Sequence, residues 1–356
     1  MVRWIRVIRH SSNGLRAGTA RSLLPTCALV VLAALSSASP AAAKKLTAAN
    51  WDRSAQRLVV TAGVMAEAPP GGFAGGSPMT SQATSQALAA LSTHLGVPAA
   101  TASTTSTSRV SVIRFDALLV RQLGLADVAA HVQQATVAAG LQPPSYFGSE
   151  VVARYLGLRY DHPAGEDSLE LYPWDPITRA EAAHSLAVVL QSEGWAVEGA
   201  RQTLSAFALP NLNPNQIEVL RIAVAKIGMP YVWGGTTDDT ADGLEHGGYD
   251  CSGFAWRVYK VSGLAWGAQI LGRTAAEQGD EVPRSARIRP AAVAPGDLLF
   301  FGSAHFSSKA TEADITHEGI ALSSEWAIHA SDQGVNVLPL KSGWLAQQLA
   351  WARRVL

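Results

Sequence analysis

The chain has 356 residues with 28 basic and 28 acidic side chains, a formal net charge of zero. That length allows two domains, each with its own core. No basic block stands out after the first residues, which argues against nucleic acid as a partner, and two cysteines are too few for a disulfide framework.

The chain opens with Arg3, Arg6, Arg9, Arg16 and Arg21 and no acidic residue. An apolar run from Cys27 to Leu35 follows, and small residues then reach Ala41-Ala42-Ala43 before Lys44-Lys45. This order of basic, apolar and small residues predicts a secretory signal peptide over residues 1–43. Its apolar run is too short to span a bilayer, and no later stretch is long and apolar enough to do so. Removing five arginines leaves 23 basic against 28 acidic residues, about −5, and one cysteine, Cys251. With one cysteine no intramolecular disulfide is possible, and a leftover thiol in an exported protein suggests a reactive role.

Residues 44–200 are rich in Ala and Leu and predict a mainly α-helical domain. The stretch from Val97 to Ser108 has few large apolar groups and predicts a flexible loop. Three weakly similar units run through this region. Pro78-Met79-Thr80-Ser81 leads into an Ala-rich helix. Val110-Ser111-Val112 leads into Phe115 to Leu123. Pro176-Ile177-Thr178-Arg179-Ala180-Glu181 leads into a helix reaching Leu190. In the third unit Thr178 and Glu181 predict a capping box. Units of this kind bury their faces against one another. They resemble S-layer homology repeats, the third best, and the resemblance implies binding to cell-wall polymer. A helical domain that packs on its neighbour and binds nothing is the alternative.

Residues 201–215 read as a linker. Asn213 and Pro214 then predict a helix start, the apolar period of Ile217, Leu220, Val224 and Ile227 carries the helix on, and Gly228 is placed as its C-cap. Pro230-Tyr231-Val232-Trp233-Gly234-Gly235 and Gly247-Gly248 flank an acidic loop. Asp250 is suited to cap the next helix, so Cys251 falls in its first turn, and Gly263 stops it. The free N–H groups and partial positive charge there favour thiolate and suit an oxyanion.

Pro295-Gly296-Asp297 predicts a turn before the buried strand Leu298-Leu299-Phe300-Phe301. Thr316 to Leu322 predicts the next strand, with His317, Gly319 and Ala321 on one face. The two small residues leave room beside His317 for a substrate. Trp326 to Ala330 predicts a third strand, which carries His329. Antiparallel neighbours bring the two histidines together, so His317 can take the thiol proton while His329 orients its ring. Such a pair predicts a bell-shaped pH dependence.

Tyr231 in its Pro-Tyr-Val-Trp-Gly-Gly, Asp-Cys-Ser-Gly-Phe at 250–254, Pro-Gly-Asp-Leu-Leu-Phe-Phe at 295–301, Thr-His-Glu-Gly-Ile at 316–320 and Ile328-His329-Ala330 occur in one order. Residues from about 215 to 356 thereby resemble the NlpC-type cell-wall endopeptidases, a papain-like cysteine peptidase family. The resemblance implies an α+β catalytic domain with an antiparallel sheet at 216–356, behind the helical region. It implies cleavage of peptidoglycan stem peptides between γ-D-glutamyl and the adjacent diamino acid. Cys251 matches the nucleophile, His317 the base and His329 the orienting residue. Tyr231, Asp250 and Ser252 match substrate-binding positions. Arg273-Thr274-Ala275 and Gln278 match a further family segment. No cofactor is implied, and the location implied is secreted, at the cell wall or in the periplasm.

Glu318 departs from the family pattern, which has an apolar residue there. A carboxylate at that place must be paired, exposed or costly, or must meet a cationic group of the substrate. The loop from Gly302 to Ile315 is longer than a hairpin needs. Asp238-Asp239-Thr240-Ala241-Asp242-Gly243 partly echoes a calcium loop, but Tyr249 stands where the bidentate carboxylate belongs. His246 and His305 are rival bases, in loops. A zinc site on Cys251, His317 and His329 lacks a fourth ligand, so no metal is expected. Two other readings stand beside the hydrolase: a silent wall-binding scaffold, and an acyltransferase or amidase on the same fold.

Overall fold

A computed structural model describes residues 46–356, apart from 69–70, 164, 193, 242, 304–305 and 307–310. The leader expected over residues 1–43 lies outside the described residues. Helices come first: α1 (Arg53–Thr61), α2 (Ser81–Leu95), α3 (Val112–Gln122), α4 (Ala126–Ala138), α5 (Phe147–Tyr155), α6 (Arg179–Gln191) and α7 (Trp195–Leu204). Hydroxyl caps start two of them. Thr80 Oγ1 accepts from Ala83 N–H at 3.1 Å, and Thr178 Oγ1 accepts from Glu181 N–H at 3.2 Å. Each such cap contributes about 1 kcal/mol. The capping box expected at Thr178 is not completed. The Glu181 carboxylate turns instead to Arg159 at 3.3 Å and His162 at 3.1 Å.

The three sequence units meet at their leading ends. Met79 N–H donates to Ile177 O at 2.8 Å, Val110 N–H to Met79 O at 3.0 Å, and Ile177 N–H to Val110 O at 2.9 Å. Each strand-like end thus satisfies the backbone of the next, and the ring is closed. Inside the bundle Arg159 lies between Asp116 at 2.7 Å and Glu181, and donates to Ser185 Oγ at 2.8 Å. The guanidinium is buried but has a polar partner on each side, which is what lets a charge stay there. The stretch 97–108 is pinned at one end, where Gln122 accepts from Ala100 N–H at 2.8 Å and donates to Pro98 O at 3.1 Å.

After α7 the chain is extended, and Phe207 is buried against Trp326 with ring centroids 5.0 Å apart. Helix α8 (Pro214–Val224) begins in a full capping box. Asn213 Oδ1 accepts from Gln216 N–H, and Gln216 Oε1 accepts from Asn213 N–H. It stops at Val224, before Gly228, which has φ +84° and is used differently from the expected C-cap. There the chain turns onto a sheet edge: Gly228 N–H donates to Val335 O at 3.0 Å and Val335 N–H to Met229 O at 2.8 Å. A side chain at Gly228 would meet the Glu150 carboxylate at 3.0 Å.

A short pair, β1 (Thr236–Thr237) and β2 (Gly248–Tyr249), leads into α9 (Cys251–Val261) and α10 (Ala275–Asp280). The main sheet follows: β3 (Leu298–Gly302), β4 (Ile315–Ala321), β5 (Trp326–Ser331), β6 (Gly334–Pro339) and β7 (Leu349–Arg353), with α11 (Gly343–Gln348) before the last. Its order is β6-β5-β4-β3-β7, and all its pairs are antiparallel. Alternation divides the side chains between two faces. Phe300, Ile320, Ile328 and Trp351 join the large core with Phe254, Ala255 and Val258 of α9. Leu299, Phe301, Ala321 and Ala327 form a smaller core with Leu345 of α11. The helical region docks on β6. From α5, Arg154 pairs with Glu150 at 3.2 Å and donates to Gly228 O at 2.8 Å and to Gln333 O.

Candidate active site

Glycines set the position of Cys251. A Cβ on Gly253 would lie 2.0 Å from Gly235 O, so only glycine lets the first turn of α9 press against the preceding turn. Asp250 caps the helix, accepting from Gly253 N–H at 2.6 Å and, through its other oxygen, from Gly234 N–H at 3.0 Å. Arg273 grips the same carboxylate with two bonds, at 3.0 and 2.8 Å. It also donates to Ser252 Oγ at 3.1 Å, and Gln278 Nε2 donates to Ser252 O at 3.3 Å. The polar atoms of Asp250 and Ser252 are therefore engaged in holding the start of α9. Sequence reasoning did not see this work of Arg273, although a buried carboxylate beside the thiol calls for a cation.

Cys251 is half-buried at the head of α9. Helix α9 packs on β4, the strand that carries His317, and the backbone N–H groups of Ser252 and Glu318 act to favour the thiolate. Tyr231 is half-buried next to it. Burial, and then the negative charge of a Cys251 thiolate and of Asp250, hold its phenol protonated well above the ordinary range.

Register puts His317 opposite Phe301 on β3, and His317 Nε2 lies 2.9 Å from His329 Nδ1, with the rings nearly perpendicular at 88°. Trp344 of α11 sits against both, 5.1 Å from His317 and 5.6 Å from His329. The contact of Trp344 with the two histidines has no periodic signal in the sequence. A Cβ on Gly319 would come 3.0 Å from His329 Cβ. The room left by that glycine is therefore taken by His329 rather than by a substrate.

Burial dominates the electrostatics. It lowers His317 to about 4 and holds His329 well below its ordinary value, with the His317 charge adding to the second effect. It pushes the Cys251 thiol up to about 12, helped by the charges of Asp250 and Glu318 and opposed by the two N–H groups. The thiolate expected from the helix terminus is thus outweighed by loss of water, and the resting pair is thiol and neutral imidazole. Glu318 is fully buried beneath α9, and neither carboxylate oxygen has a hydrogen-bond partner among the described residues. Burial first, then Asp250 and Glu281, raise its carboxyl well above the usual range. Burial thus favours the neutral carboxyl of Glu318, and Asp250 is the larger repulsion on the sulfur. Of the four options open to Glu318 in the sequence, the structure shows the costly one.

The rival histidines stand elsewhere. His246 donates from Nδ1 to Gly247 O at 2.6 Å and lies on Tyr172 at 4.2 Å; His305 is outside the described residues. In the acidic loop Asp238 pairs with Lys226 and accepts from Tyr249 OH at 2.7 Å. Among the described residues no group of three or more His, Cys, Asp or Glu side chains is placed to hold a metal ion.

A cysteine heading a helix, beside a pair of histidines on an antiparallel sheet, defines the class: an α+β, papain-like catalytic domain behind a mainly α-helical region. Residues 228–354 match the model of the NlpC/P60 family. The chain is 31% identical over 137 residues to the bifunctional muramidase/DL-endopeptidase CwlT of Bacillus subtilis, covering 38% of this chain and 36% of that protein. It is 26% identical over 132 residues to a gamma-D-glutamyl-L-lysine dipeptidyl-peptidase of Bacillus cereus, covering 36% and 33%. It is 28% identical over 140 residues to the probable peptidoglycan endopeptidase LytE of Bacillus subtilis, covering 39% and 34%. The chain thus spans about a third of the length of these relatives. Among solved structures, an NlpC/P60 family protein from Bacillus cereus is 25% identical over 42% of each chain, with a TM-score of 0.31.

Proposed function

We propose that this chain is an exported cysteine endopeptidase that hydrolyses peptidoglycan stem peptides at the bond between γ-D-glutamyl and the diamino acid. One observation carries the reading: Cys251 heads α9, which packs on β4, and on that strand His317 Nε2 lies 2.9 Å from His329 Nδ1. Base and orienting group are thus paired on the sheet against which the nucleophile's helix is packed. The activities for which the similar peptidases are named support the substrate class.

In this mechanism His317 takes the thiol proton as the sulfur attacks the scissile carbonyl, so no resting thiolate is required. The negative oxygen is met by N–H groups at the head of α9. His317 then protonates the leaving amine, and a thioester remains on Cys251. Water, deprotonated by His317, attacks the thioester, releases the acid and restores the thiol. Tyr231 stands beside the sulfur, and Asp250 and Ser252, held by Arg273, act on the substrate's amino end by fixing the head of α9. The helical region is assigned to cell-wall polymer; the closed ring of three units supports reading it as repeats. Co-sedimentation with isolated walls stripped of stem peptides tests that assignment, and absence of binding refutes it.

The test of the enzyme is digestion of purified wall peptides, under reducing conditions, by wild type and Cys251→Ala, with mass spectrometry of the products. Wild type yields fragments cut after γ-D-glutamyl, and the variant yields none. Equal absence of cleavage by both means a scaffold, and transfer to an added amine in place of hydrolysis means an acyltransferase.

A further inference from the structure

The relay of polar groups does not stop at His329. On β6, Asn336 is the direct cross-strand partner of His329. Both residues are fully buried. Asn336 Nδ2 donates to Gly334 O at 2.8 Å and to Ser331 Oγ at 2.9 Å. A backbone carbonyl only accepts, so the amide NH2 must point toward Gly334, which fixes the side chain's orientation and turns Oδ1 the other way. Two buried atoms on this cross-strand pair are then left over. Neither His329 Nε2 nor Asn336 Oδ1 is within full bonding geometry of any group among the described residues. One ring nitrogen and one oxygen that only accepts are complementary, and leaving both unpaired in the interior costs about 1–3 kcal/mol each. Asn336 lies close enough to His329 to favour a proton on its ring. Catalytic hydrogen bonds are often long in the absence of substrate and tighten on binding.

We propose that Asn336 is a positioning residue: its Oδ1 accepts from His329 Nε2–H and so sets the tautomers of both histidines. The consequence follows atom by atom. With its hydrogen on Nε2, neutral His329 offers a lone pair at Nδ1. That lone pair accepts from His317 Nε2–H across 2.9 Å. Neutral His317 is then left with its lone pair on Nδ1, the nitrogen free for the thiol proton. When His317 takes that proton, His329 Nδ1 remains an acceptor and stabilises the imidazolium. Without the Asn336 oxygen, His329 is free to carry its hydrogen on Nδ1. It would then face the Nε2–H of His317, and that ring must give up its base tautomer or turn away. The proposal rests on the triad reading above and adds a fourth member to it.

The test uses the whole chain labelled with 15N-histidine. Long-range proton–nitrogen spectra read the tautomers, and kcat and KM are measured on a stem peptide for wild type, Asn336→Leu and Asn336→Asp. The expected result has four parts. His329 is Nε2–H in wild type, and this preference is lost in Asn336→Leu. In that variant kcat falls tenfold or more while KM stays within about twofold. The loss is smaller than the ~10⁴ that a wrong tautomer at the base itself costs. Asn336→Asp, isosteric and still carrying an accepting oxygen, recovers the tautomer and most of kcat. A wild-type His329 with hydrogen on Nδ1 overturns the proposal, and does so even if Asn336→Leu fails to fold. Unchanged tautomer and kcat in a folded Asn336→Leu also overturn it. If wild type cleaves nothing while Cys251→Ala behaves identically, the hydrolase reading fails, and the tautomer measurement still decides the part played by Asn336.

Discussion

Glu318→Gln isolates the cost of placing a carboxyl group beneath the catalytic helix. In the folded protein the group is buried, without a partner among the described residues, and held protonated well above its ordinary value of 4.5. In the unfolded chain it ionises near 4.5. Unfolding at neutral pH therefore releases a proton. Stability from this residue is fully present below about 4.5 and is lost as pH rises toward the raised folded value. At 1.36 kcal/mol per unit, the roughly 2.5 pH units between 4.5 and an assay pH of 7 set about 3 kcal/mol as the ceiling of the penalty. Glutamine keeps the size and the neutral amide-like character but has no proton to release. Urea unfolding of both proteins at pH 4.5 and pH 7 measures the difference. Glu318→Gln should be more stable at pH 7, by up to about 3 kcal/mol, and the gap should shrink to a few tenths at pH 4.5. A variant that is equally stable at both values, or less stable at pH 7, refutes the reasoning. Because burial favours the neutral carboxyl, kcat/KM on stem peptide should change by less than about threefold.

The remaining predictions concern the pair at the site and the junction with the helices. Burial widens the bell expected from sequence: His317 must be neutral to act as base, so kcat/KM falls only as pH drops through about 4, and no alkaline limb intrudes below pH 9 because the thiol is held near 12. Initial rates from pH 3.5 to 9 check this, and an acid limb centred near 6.5 contradicts the desolvated base. Arg154→Ala removes the cation that pairs with buried Glu150 and serves two carbonyls, and should cost about 3 to 5 kcal/mol in urea unfolding. A loss under 1 kcal/mol contradicts a structural role for that docking.

Much of this architecture is legible in local signals. Asn213 with Pro214, and Asp250 before Cys251, announce their helices because a cap is a short-range bond between neighbours in the chain. The alternation around His317 and His329 places them on one face because strand geometry has a period of two. What stays hidden depends on register and on distant elements. Gly319 was assigned space for substrate, but only cross-strand pairing reveals that His329 fills it. Thr178 and Glu181 have the capping-box spacing, yet Arg159, distant in sequence, claims the carboxylate. The helix terminus was expected to hold a thiolate, but that expectation omitted burial, which no stretch of sequence around Cys251 displays. Asn336 and Trp344 reach the histidines through β6 and α11, and nothing in their own neighbourhoods marks them.

Strand β6 forms one margin of the main sheet, and its outer side is stitched to Gly228 and Met229 and roofed by α5 through Arg154. A shortened protein starting at α8 would keep the stitch and lose the roof. The exposed rim would then offer unsatisfied carbonyls at Gly228 and Gln333 to any other extended chain, a familiar route to sticking and precipitation. The helical bundle thus covers a rim that the catalytic half would otherwise leave open.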